Sequence, residues 1–104
     1  LTHFYRGSKG NNDVTFEPKP HEYKIDKNTG MVKPTHGISV FDNPHSLENK
    51  GFTPNLLDLA SVPKTLQIKQ RGSDPHHSEI MPLKSMQIEP YKEALRQIKV
   101  KTTD

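Results

Sequence analysis

Nine prolines divide this chain into short segments and limit what each segment can become. A proline nitrogen cannot donate to a central ladder, so Asn43-Pro44 and Pro82 are expected to mark strand ends. Pro90 is tolerable only in the first turn of a helix, which predicts a helix starting near Gln87 or Ile88. Prolines also lower the entropy of the unfolded chain, and this chain has few apolar residues to stabilise a fold otherwise. Leu, Ile, Val and Phe supply 23 of 104 residues, just above the level of a disordered chain. The expectation is one compact domain over residues 1–104, with a thin core and many loops.

The segments carry different periodicities. Leu1 to Gly7, apolar and aromatic around Phe4 and Tyr5, predicts a short buried strand. Residues 8–22 predict a loop, opened by Ser8-Lys9-Gly10-Asn11-Asn12 and closed by Glu17-Pro18-Lys19-Pro20. Asp26-Lys27-Asn28-Thr29-Gly30 is a turn signal. Gly37 to Phe41 is the clearest strand of the first half. Residues 45–61 are ambiguous, with a helical turn expected over Asn55 to Ala60. Leu66 to Gln70 alternates as a half-exposed strand does, Arg71 to Pro75 turns, and His77 to Met81 predicts another strand. Ile88, Tyr91, Leu95 and Ile98 follow a 3-4-3 spacing that puts them on one helix face. The fold class is therefore α+β.

Several chemistries are excluded or weakened. There is no cysteine, hence no disulfide framework and no thiolate metal site. The longest apolar candidate, Leu56-Leu57-Asp58-Leu59-Ala60, is broken by a charge and is far too short to span a membrane. No signal peptide is visible, and a start at Leu1 suggests a piece cut from a longer protein. A net charge of +3 and a pI near 9.2 favour an acidic partner but do not by themselves argue for nucleic acid. His76-His77 lacks the His-Glu-x-x-His spacing of a zinc helix, so no metal is expected; either histidine suits acid–base chemistry instead.

The strand words, in order, are Phe4-Tyr5-Arg6-Gly7, then Thr29 through Phe41, then Val62 through Gln70, then His77-Ser78-Glu79-Ile80-Met81-Pro82. This series resembles a family of antibacterial toxins with an ADP-ribosyltransferase-like fold, exported by type VI secretion or carried at the C-terminus of Rhs-type polymorphic proteins. The resemblance covers most of the chain; residues 8–28 and 43–61 match poorly. It implies two small packed sheets whose cleft holds NAD as substrate, with nicotinamide leaving through an oxocarbenium-like state. Tyr5, Arg6, Gly7, Ser39 and Phe41 would then bind NAD, Arg6 meeting the diphosphate, while Glu79, Ser39 and His77 would be catalytic. In one member the position matching Glu79 is not acidic while the histidine matching His77 is retained, which leaves both residues as candidates.

The resemblance further implies a delivered effector acting in the target-cell cytoplasm, a macromolecular acceptor (protein or RNA) or water for the ADP-ribose, and a cognate immunity protein. Ordinary roles stand beside these: Arg6 as a snorkelling strand residue, Ser39 as a back-bonded structural hydroxyl, Glu79 as a solvated strand carboxylate, Phe41 as core. Two other functions also remain open, a ribonuclease using His76 and His77, and a toxin that has lost catalysis and acts by binding.

Overall fold

The computed structural model describes residues 2–10 and 13–101. Six strands form one antiparallel sheet that curls into a half-barrel: β1 (Tyr5–Lys9), β2 (Ile38–Phe41), β3 (Phe52–Asp58), β4 (Leu66–Gln70), β5 (His77–Pro82) and β6 (Lys99–Val100). Their order across the sheet is β4-β5-β2-β1-β3-β6. Two short helices complete the domain, α1 (Pro44–Glu48) and α2 (Ile88–Arg96). No helix among the described residues is long and apolar enough to cross a membrane.

The α+β class holds, but the expected pair of sheets does not. β1 pairs with β3 along its whole length and with β2 through Tyr5 opposite Phe41, which makes the six strands continuous. Instead α2 covers one face, where Ile38, Val40, Leu57, Leu66 and Ile80 pack with Tyr91, Ala94 and Leu95. The Tyr91 hydroxyl donates to the Ile80 carbonyl at 2.7 Å, so the buried polar tip is satisfied.

Helix α2 begins at Ile88 as its proline predicts. Ile98 lies just beyond the helix end but is still 4% exposed, so the apolar stripe outlasts the helix. Two local expectations are corrected. β1 runs from Tyr5 to Lys9 rather than from Leu1 to Gly7, and Leu1 lies outside the described residues, as do Asn11 and Asn12 of the expected loop. The helical turn expected over Asn55–Ala60 is mostly strand β3, followed by a 3-10 turn at Leu59–Ser61. Tertiary bonds decide this: the Asn55 side-chain amide donates to the Arg6 carbonyl at 2.9 Å and to Ser8 Oγ at 3.0 Å. At Asn43-Pro44 the chain ends β2 and begins α1 together, because Asn43 Oδ1 caps the His45 amide and Pro44 needs no donor there.

Candidate functional site

Strand alternation sorts the candidate residues onto faces. Ser39 lies opposite Glu79, and Phe41 lies opposite both His77 and Tyr5. Tyr5, Gly7, Ser39, Phe41, His77 and Glu79 therefore share the face turned away from α2. Arg6 sits opposite Asn55 on the other face, two residues from buried Leu57. Of the residues proposed from sequence, the fold brings Ser39, His77 and Glu79 together most closely, with Phe41 beside them.

Glu79 is 6% exposed, and its carboxylate is held by named donors. Its Oε1 accepts from the Gly37 amide at 2.9 Å and lies 3.1 Å from Arg71 Nε. Its Oε2 lies 3.8 Å from His77 Nε2. The same His77 nitrogen is 3.1 Å from Ser39 Oγ, while His77 Nδ1 is 2.7 Å from the Arg71 carbonyl. A carbonyl can only accept, so Nδ1 must carry hydrogen. In the neutral ring Nε2 then has its lone pair toward Ser39, and the hydroxyl donates to it.

Gly37 belongs to this arrangement because a Cβ there would overlap the Ile80 carbonyl, and that closeness aims its amide at Glu79. Arg71, expected only as a turn residue, supplies both the guanidinium beside Glu79 and the carbonyl that orients His77. A pairing of the Leu66–Gln70 and His77–Met81 strand words would have placed it there. His36, close by, has its pKa lowered by burial and then by the Arg71 charge, opposed by Glu79 and reinforced by Lys24 and Lys33.

Arg6 has a different role in the fold. β1 and β2 pair at Tyr5 and Phe41 and then diverge, leaving the amide and carbonyl of Ser39 that face β1 without a strand partner on that side, while β5 lies on the other. Arg6 and Glu22 fill the gap: Arg6 Nη1 donates to the Ser39 carbonyl at 2.8 Å, and Glu22 Oε2 accepts from the Ser39 amide at 3.2 Å. The two side chains also pair with each other at 3.1 Å, and Arg6 Nε donates to the Thr15 carbonyl. Burial would raise the Glu22 pKa, but the Arg6 hydrogen bond and charge, with the Lys19 and Ser39 amides, hold it below its ordinary value. Apart from the nearby Lys19 amide, the partners of Glu22 come from β1 and β2, Arg6 and Ser39, which its own segment does not announce.

The remaining candidates are largely enclosed. Gly7 leaves room for Leu47 and Phe52; a Cβ there would come within 2.8 Å of Leu47 Cδ2. Phe41 is 6% exposed, its ring 5.3 Å from the His77 ring and 4.5 Å beneath the Lys50 ammonium. His76 points elsewhere and pairs with Asp42 at 2.8 Å. Among the described residues, no three His, Asp or Glu side chains gather into a group able to hold a metal ion. Comparison of the chain with protein-family models, with curated proteins and with solved structures finds no match.

Proposed function

We propose that this domain cleaves NAD at the nicotinamide–ribose bond, as the catalytic part of a delivered antibacterial effector. The observation that carries this reading is the fixed carboxylate of Glu79, with Oε1 bound by Gly37 and Arg71 and Oε2 3.8 Å from His77 Nε2. Breaking a glycosidic bond builds positive charge on the ribose ring. A preorganised carboxylate meets that charge without having to reorganise at the moment of reaction.

In this reading Glu79 stabilises the ribosyl cation, while Ser39 and His77 border the same ribose. Arg6, bonded to Thr15, Glu22 and Ser39, acts as a positioning residue that fixes the Ser39 backbone. Arg71, with its side chain 46% exposed, is the better-placed cation for the diphosphate. The ADP-ribose goes to a protein or RNA acceptor or to water, and an acidic immunity protein would protect the producing cell.

The test is release of nicotinamide from NAD by the purified domain, with and without a cell lysate. Release by the wild-type chain and a drop of about 10²-fold or more in Glu79→Gln support the reading. One observation favours a second reading: the tautomer fixed at His77 makes Nε2 a ready base, as ribonuclease chemistry requires. Cleavage of RNA without added NAD, abolished by His77→Asn and indifferent to Glu79→Gln, would establish that reading instead.

A further inference from the structure

Ser39 has the surroundings of a nucleophile. With His77 neutral, Ser39 Oγ donates to His77 Nε2 at 3.1 Å, and the Arg71 carbonyl at 2.7 Å from Nδ1 selects the tautomer that can take a proton from the hydroxyl. A hydroxyl beside a base that is itself oriented by a third group is the arrangement of activated serines in general. The Ser39 backbone is immobilised on both sides by Arg6 and Glu22. The residue is nonetheless only half-buried.

Ser39 also lies directly across from Glu79. The flanking bonded register makes this a non-hydrogen-bonded pair, the kind whose side chains stand closest. A sugar carbon near enough to Glu79 to feel its charge is therefore within reach of the Ser39 hydroxyl. Ser78, the neighbouring serine, alternates to the opposite face and is buried there.

We infer that Ser39 is itself an acceptor of ADP-ribose, a self-modification site that rests on the NAD-cleaving reading above. The bond between the anomeric carbon and the pyridinium nitrogen breaks, its electron pair leaving with a now neutral nicotinamide. Ser39 Oγ bonds to that carbon, and its proton passes to His77 Nε2 and then to water. The product is an O-glycosidic ADP-ribosyl serine, and the step needs no oxidant or reductant.

The experiment incubates the whole domain with NAD and follows two readouts, released nicotinamide and the intact mass of the chain with fragmentation to locate any adduct. One ADP-ribose per chain, mapped to Ser39, is the expected result. Ser39→Ala should leave the chain unlabelled, and His77→Asn should slow labelling by about 10²-fold or more, as for loss of a positioned base. Nicotinamide release with an unmodified chain, or with label elsewhere, overturns the inference and leaves NAD cleavage standing. No nicotinamide release at all overturns both.

Discussion

On the α2 side of the sheet, Ile38, Val40, Leu57, Ile80, Tyr91 and Leu95 are all 2% exposed or less, and they interact by packing apart from the Tyr91 hydroxyl on the Ile80 carbonyl. On the opposite side the same strands present Ser39, His77 and Glu79, held with Arg71 by directional hydrogen bonds. Because strand side chains alternate, β2 and β5 serve both sides with consecutive residues. Apolar packing and the directional polar bonds are therefore nearly separable here, and Arg6 is the exception: it belongs to the buried side yet fixes the backbone of Ser39.

The largest expected effect tests that exception. Arg6→Ala leaves Glu22 without its cation in a site where each side chain is 10% exposed. Breaking such a pair typically costs about 3–5 kcal/mol, and NAD turnover should fall with it. Denaturant unfolding that shows an undiminished stability would mean that the gap between β1 and β2 closes without the pair. Next, Leu95→Ala removes a fully buried side chain and should cost about 2–5 kcal/mol. Turnover per folded molecule should hardly change, and an activity loss in fully folded protein would show that the two faces are coupled.

Glu79→Gln should do the reverse. Its melting temperature should move little, because an amide oxygen can still accept from Gly37, while turnover falls by about 10²-fold, or about 2.7 kcal/mol of transition-state stabilisation. A large melting shift without a turnover defect would reassign Glu79 to the structural side. The smallest effect concerns acid. Glu22 titrates below its ordinary value in the fold, so its folded form binds fewer protons than the unfolded chain in that range. Its stabilisation is complete above about pH 4.3, the usual glutamate value, and is lost as pH falls through the lower folded value. Glu22→Gln should flatten that limb of a stability–pH curve; an unchanged limb would assign the acid transition to other carboxylates.

The sequence made the α2 side legible through periodicity: Tyr91, Leu95 and Ile98 lie on the face their spacing predicts, and Pro90 locates the helix start. It also placed Ser39, His77 and Glu79 in strands, and the alternation of a strand over His77 to Met81 puts His77 and Glu79 on one face. The bonds that complete the site were not legible. Gly37 matters through a backbone approach to β5, and Glu22 through a gap that exists only once β1 and β2 have met and diverged. Arg6 shows the limit most plainly, since a buried guanidinium and one facing a ligand look alike until the register assigns a face.

The strand order β4-β5-β2-β1-β3-β6 has a kinetic consequence. Only β4 and β5 are sheet neighbours joined by a short turn; every other joint needs distant segments to meet, as when Tyr5 finds Leu56 and Phe41 finds His77. Each such joint pays loop-closure entropy before any contact is gained. Refolding from denaturant should accordingly fall in the slow range of non-local topologies, roughly milliseconds to seconds. The β4–β5 hairpin is then the natural place for the first persistent structure, and the β1–β3 joint, which brings Tyr5 to Leu56, closes one of the longest loops.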